Sequence, residues 1–346
     1  MAIATKTIDA ERLAPAEQSQ MAVTWKRFRK HKLGLTGLII LTLLTVSVIA
    51  IPFLTGWQYD EIDRDGLSPD PDISKAYLQT YEFKPAMWAD PGIADGTQGH
   101  LHILGTDKVA RDNFTRLFQG GRISLSVGLI TTLIVIFLGS VVGALAGFYG
   151  GWVDTLLMRF VDLLLSLPTL PILLVISKML DQSGVFKTLF GRDLGTVATI
   201  ILVLALFGWL GISRLVRGSI LSLRNLDFIE ATRALGANNR RIIIRHLMPN
   251  SLAPIIVAAT LGVGDFIITE SFLSFLGLGI QDPTPSWGNL LQNSLEYASQ
   301  ITNLNPFQEV RGYLVLFPGI LILLTVLSIN FMGDAIRDAL DPRLKM

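Results

Sequence analysis

Apolar runs long enough to cross a bilayer recur along this chain, and they leave it few ways to fold. The first covers residues 33–54. About twenty apolar residues in a helix span a hydrocarbon core about 30 Å thick. With no water inside that core, each backbone N–H and C=O must be satisfied within its own segment, so such runs fold as helices. Comparable runs cover residues 123–148, 156–180, 195–212, 252–276 and 313–332. We therefore expect an all-α polytopic membrane protein with six transmembrane helices. The first run exceeds the apolar region of a signal peptide and is expected to stay in the membrane.

Only 16% of the residues are charged, against about 25% in soluble domains, which argues against a soluble fold. The net charge of +1 gives no reason to expect a nucleic-acid partner. Cysteine is absent, which excludes a disulfide framework, a thiolate metal site and a cysteine nucleophile. His100 and His102 stand two apart but have no assured third ligand, so they are read as solvated loop residues and no metal site is expected.

Charge asymmetry orients the spans. Residues 25–32, WKRFRKHK, carry five Lys/Arg and no acid, which places the N-terminus in the cytoplasm. Trp25 and Phe28 suit the interface there. The same charges can attract anionic lipid, although topology alone accounts for them. Residues 56–121 hold eleven Asp/Glu against six Lys/Arg and are expected on the opposite side. Within them, Thr106 or Asp107 can cap an amphipathic surface helix that Gly120 and Gly121 would end. Gly139, Gly143, Gly147 and Gly151 recur every fourth residue, forming a helix groove that another backbone can approach closely. Arg159 and Asp162 are spaced to pair on one helix face, and Pro168 and Pro171 should bend the third span. Residues 214–250 carry seven Arg against Asp227 and Glu230, and the last residues include Arg337, Arg343 and Lys345. Both segments fit the cytoplasmic side, so six spans return both termini there.

A polar island, DFIEATRALGANNRRIIIRHLMPNSLAP, separates the fourth and fifth runs. Phe228, Ile229, Ala231, Ala234 and Leu235 recur at helical spacing and predict one apolar face. Gly236 and the following Ala-Asn-Asn are helix-ending chemistry. A second helical piece is expected over residues 240–248, with Pro249 in the first turn of the next helix. Such a basic amphipathic element either lies on a membrane or docks in a partner's groove. In the fifth run, Asp265 and Glu270 are costly, about 2.5–3.5 kcal/mol each on insertion scales, and stand five apart, not on quite the same face. Each is a candidate to meet the amino group of a transported peptide or to hydrogen-bond a neighbouring helix. The second role is favoured for Glu270, and both stay open for Asp265.

Glu230-Ala231-Thr232, then Gly236, then His246-Leu247-Met248-Pro249-Asn250 resembles the EAA motif of bacterial ABC-importer permeases, with Thr232 in place of a second Ala. The blocks LGTDKVARDNFTRL, GALAGFYGGWVDTLLMR, LLSLPTLP, LSFLGLGIQDPTPSWGNLL and GDAIRDALDPRLK are similar to the C-type permease of dipeptide/oligopeptide ABC importers. Ala110 replaces a Gly usual in that family, and residues 56–99 are longer than its pattern. Glu270 lies three residues ahead of the family-like block that opens at Leu273.

The resemblance implies the type I ABC importer permease fold with an extracytoplasmic loop insertion between helices 1 and 2. It divides the chain into a cytoplasmic tail (1–32), a first transmembrane helix with an extracytoplasmic segment (33–121), a permease domain (122–334) with coupling helices near 224–248, and a second tail (335–346). It implies a bacterial inner-membrane subunit that pairs with a second, B-type permease, two ABC ATPase subunits and an extracytoplasmic substrate-binding protein. ATP and Mg2+ are expected on the ATPases and no cofactor on this chain. Coupling to the ATPases is expected through Glu230, Ala231, Thr232, Gly236, Arg240, Arg241, Arg245, Pro249 and Asn250, with Glu230 capping or pairing locally. No catalytic residue is expected. The chain has no Gly-Lys dipeptide and so no Walker A loop, and it lacks HExxH and GxSxG. A gradient-driven transporter is the main rival class, but no clear inverted repeat is legible.

Overall fold

A computed structural model describes residues 20–56, 58–61, 103–107, 111–298 and 313–340. His100, His102, most of the 56–99 insertion and the outermost residues of both tails lie outside the described residues. Among those described, the chain is helical apart from turns and one isolated bridge between Thr106 and Asp112.

Helices α1 (Gln20–Phe28) and α2 (Lys32–Thr55) open the chain. They are followed by α3 (Asn113–Tyr149), α4 (Gly151–Leu165), α5 (Thr169–Ser183), α6 (Val185–Phe190) and α7 (Arg192–Leu223). The polar island forms α8 (Asp227–Ala234), α9 (Asn239–Ile242), a π-helical turn (Ile243–Leu247) and α10 (Met248–Asn250). Helices α11 (Leu252–Phe275), α12 (Trp287–Ala298) and α13 (Tyr313–Leu340) complete the bundle. By length and apolarity α2, α3, α7, α11 and α13 can each cross a membrane, and α4 with α5 makes a sixth span bent by 85°. The bend falls at residues 166–168, as the prolines predict. Pro168 stands just ahead of α5 and ends the α4 direction, whereas Pro171 sits in the first turn of α5 and interrupts nothing.

Three expected boundaries are displaced, each for a packing reason. Gly120 and Gly121 end no helix, because α3 starts at Asn113 and runs through them for 37 residues. Asp112 caps it by accepting from the Thr115 N–H at 2.7 Å. The missing side chain at Gly121 makes room instead: a Cβ there would lie 2.6 Å from both the Trp287 ring and Val48. Helix α7 continues past the expected end of its span to Leu223, so Arg214 and Arg217 are helical rather than loop residues. Helix α13 likewise passes Gly333, which lets α11 approach, since a Cβ at that glycine would stand 2.8 Å from Leu261.

The glycine groove is real, and α7 fills it. Cβ atoms built on Gly139, Gly143 and Gly147 would lie 2.6, 2.8 and 2.9 Å from the Cβ atoms of Ile212, Val216 and Ile220. Four-residue spacing on α3 thus meets four-residue spacing on α7, the ridge-in-groove arrangement of closely packed helices. Gly151 takes no part. With Gly150 it adopts positive φ and turns the chain from α3 into α4.

The expected Arg159–Asp162 pair does not form. Asp162 meets Arg214 of α7 instead. At the end of the bundle holding the N-terminal helix, Phe28 packs with Ala335 and Ala339 of α13.

Candidate functional site

The bundle has two polar ends, here called the Glu230 end and the Asp282 end after a residue at each. At the Glu230 end, α7 passes through a three-residue link into α8. Asp227 and Glu230 stand in the first turn of α8, where carboxylates favour the helix dipole. The expected apolar face is not what anchors this helix. Of its residues only Ile229 is buried, in a cluster with Val216, Ile220, Ile242, Leu247 and Ile255. Phe228 is exposed, and Leu235 is 89% exposed at the tip.

Gly236 turns the chain at φ +77°, a left-handed conformation that a residue with a Cβ adopts at a cost. Its N–H donates to the Arg233 carbonyl at 3.0 Å, and the Ala237 N–H donates to the Thr232 carbonyl at 3.3 Å, which closes the helix end. Asn238 then caps α9, accepting from the Arg241 N–H at 2.8 Å. The Thr232 hydroxyl donates to the Phe228 carbonyl at 2.7 Å, and the Asn250 amide donates to the His246 carbonyl at 2.6 Å. Pro249 sits in the first turn of α10, where its missing N–H costs nothing.

Ile229, Ile242 and Leu247 therefore pin this element to the bundle. Glu230, Ala231, Gly236, Arg240, Arg241, Arg245, Pro249 and Asn250 are exposed on it, and Thr232 is partly exposed. The Glu230 carboxylate neither caps nor pairs among the described residues. The guanidiniums of Arg240, Arg241 and Arg245 have no ion-pair partner there either. The arrangement is a knob: an exposed Leu235, exposed Arg233, Arg240, Arg241 and Arg245, and hydrogen-bonded turns at Gly236 and Asn238.

The two intramembrane carboxylates are not brought together. Glu270 is fully buried. The Ser274 hydroxyl donates to its Oε1 at 2.7 Å, and the Ser124 hydroxyl donates to its Oε2 at 2.8 Å. Those hydroxyls accept in turn from the backbone N–H groups of Ile280 and Trp287, at 2.9 and 3.3 Å. Glu270 thus holds the 277–286 loop against α3, in keeping with the favoured contact to a neighbouring helix. Asp265 is exposed, with no side-chain partner among the described residues.

A cluster at the Asp282 end was not legible in the sequence as a site. Arg116, fully buried, donates to Asp282 Oδ1 at 2.6 Å. Arg111 lies 2.7 Å from Asp107 and 3.4 Å from Asp282. Burial alone would push the Asp282 carboxyl up, but the Arg116 and Arg111 guanidiniums outweigh it and hold the carboxyl below its ordinary range. The four-residue spacing of Asp107 and Arg111 was the one local signal. The contact to Asp282 crosses 166 residues of sequence.

The family described as "binding-protein-dependent transport system inner membrane component" matches residues 139–346. The "N-terminal TM domain of oligopeptide transport permease C" matches residues 19–71. The chain is 36% identical to a dipeptide transport system permease protein DppC of Alkalihalophilus pseudofirmus, over 96% of this chain and 94% of that protein. It is 35% identical to an oligopeptide transport system permease protein OppC of Haemophilus influenzae, over 92% and 87%. Among solved structures, a chain of the MetNI methionine ABC transporter in inward-facing form aligns with TM-score 0.48 and 19% identity, over 66% of this chain and 98% of that one. The chain therefore belongs to the binding-protein-dependent transport system inner membrane components, in the branch of C-type permeases of dipeptide and oligopeptide ABC importers.

Proposed function

We propose that the chain pairs with a second, B-type permease to enclose a path for di- or oligopeptides across a bacterial inner membrane. Two ABC ATPase subunits, holding ATP and Mg2+, bind at the Glu230 end, which is the cytoplasmic side together with both termini. An extracytoplasmic binding protein delivers substrate at the Asp282 end. The chain itself is a non-catalytic subunit of its transporter, as its family is. The observation that carries this reading is Leu235, a large apolar side chain 89% exposed on a polar element outside the apolar spans. One large apolar side chain standing out from an otherwise basic element on short helices suits insertion into a groove on an ATPase. Glu230 and the arginines around it supply polar contacts at the rim. Exposed Asp265, inside a span, belongs on the path, because a lipid-facing carboxylate at that depth is costly. The peptide substrate class is inferred from the named relatives.

The test is reconstituted uptake with the ATPases and binding protein present. Gly236→Val forces a β-branched residue into positive φ at a cost of about 1–3 kcal/mol, which distorts the knob without crowding it. We expect the ATPases to hydrolyse ATP without driving uptake. Normal uptake by Gly236→Val with its ATPases bound would remove the coupling assignment.

A further inference from the structure

Helix α4 is held in an unusual way. Of its fifteen residues only Val161 is buried, so apolar packing within the chain does not fix its position. Polar contacts to α7 do. Arg217 grips Asp154 with two parallel hydrogen bonds, Nε to Oδ1 at 2.5 Å and Nη2 to Oδ2 at 2.6 Å. Such a bidentate fork fixes direction as well as distance. Two turns further along α4, Asp162 pairs with Arg214. The helices run antiparallel, so the two pairs form successive rungs between them. At the end of α7, Arg224 donates to the Gly147 carbonyl at 2.9 Å, which ties in the last turn of α3.

Both ends of this strap lead somewhere. On the α7 side, three residues separate the helix from α8, and Ile229 of α8 is buried with Val216 and Ile220 of α7. The knob and the end of α7 therefore share one buried cluster. On the α4 side, Asp162 stands four residues ahead of Ser166, where the 85° bend into α5 begins. Arg214 and Asp162 are both about half exposed. Charged groups inside spans face a polar interior rather than lipid.

We propose that Asp154–Arg217 and Asp162–Arg214 form a two-rung strap that delivers displacement of the 227–250 knob to the bend at residues 166–168. These four are positioning residues. They touch neither ATP nor substrate, and the proposal rests on the reading of the knob as the ATPase-docking surface. When the ATPases close and push the knob, α7 shifts, the strap carries α4 with it, and the bend changes angle.

Spin labels test this in the full transporter. Because the chain has no cysteine, Leu163→Cys near the bend and Leu323→Cys on α13 provide two unique exposed sites on this chain. The distance between them is measured with and without ATP and vanadate. We expect a change of about 2 Å or more in the parent, the scale of a helix displacement. Arg217→Asp, which sets two carboxylates face to face, is expected to abolish the change while the ATPases stay bound. Adding Asp154→Arg, which reverses the pair, should restore it. An intact change in Arg217→Asp, or no recovery in the reversed pair, overturns the strap. Where Arg217→Asp fails to assemble, Asp154→Asn replaces it and is read in the same way. No change in the parent, despite bound ATPases, overturns the coupling reading and the strap with it.

Discussion

Glu270 is a carboxylate that an apolar span tolerates because its neighbours leave it no unmet need. Two serine hydroxyls each accept from a backbone N–H and donate a hydrogen bond to one of its oxygens. Glu270→Ala would strand both hydroxyls in a dry site. The cost of unsatisfied buried groups gives an expected loss of about 2–4 kcal/mol, and Glu270→Gln a smaller one. Thermal unfolding of the detergent-purified complex checks this, and peptide selectivity should be unchanged in Gln. Asp265 predicts the reverse pattern. Asp265→Asn is expected to leave stability within about 0.5 kcal/mol, as for exposed positions without partners, and to alter substrate affinity or selectivity in transport assays. Unchanged affinity and selectivity would take Asp265 off the path. The cost of a charge in an apolar run marked both residues as notable. The Ser274 contact is local, but the Ser124 contact reaches Glu270 across 146 residues of sequence, and that part was not legible.

Among the elements, the 277–286 loop is held from two sides, by the serine relay to Glu270 and by Arg116 and Arg111 on Asp282. The second clamp depends on pH. The Asp282 pKa is depressed below its ordinary 3.8 in the folded protein, so its stabilising contribution is complete above that value and is lost as pH falls through the lower native one. Backbone amides of the loop, corrected for intrinsic exchange, should exchange faster below about pH 4. Asp282→Asn should exchange faster at neutral pH and lose the acid dependence. Helix existence was legible in the apolar runs, and the bend was legible in Pro168. Helix ends were not. Gly120, Gly121 and Gly333 carry a helix terminator's composition but serve as contact points for Ser286, Trp287 and Leu261 respectively. A glycine that ends a helix and one that admits a neighbour look alike until the neighbour is placed. The same holds for α8, where Ile229 alone is buried and Leu235, read as part of an apolar face, points away.

At the scale of the whole molecule, six apolar spans separate a knob whose arginines have no ion-pair partner among the described residues from an end where arginines are paired and buried. That asymmetry agrees with one end meeting a moving partner and the other holding a fixed shape. The EAA-like spacing implied a docking element there by resemblance, and the structure adds Leu235 as its most exposed large apolar side chain. The most direct measurement uses the cysteine-free background. Leu235→Cys supplies the one thiol on this chain, in a transporter whose other subunits carry a single added cysteine in the ATPase groove. Oxidation is expected to link this chain to an ATPase subunit, and a membrane-impermeant maleimide applied from outside intact cells should leave the thiol unlabelled. Labelling from outside, with no cross-link at any groove position, would contradict the account.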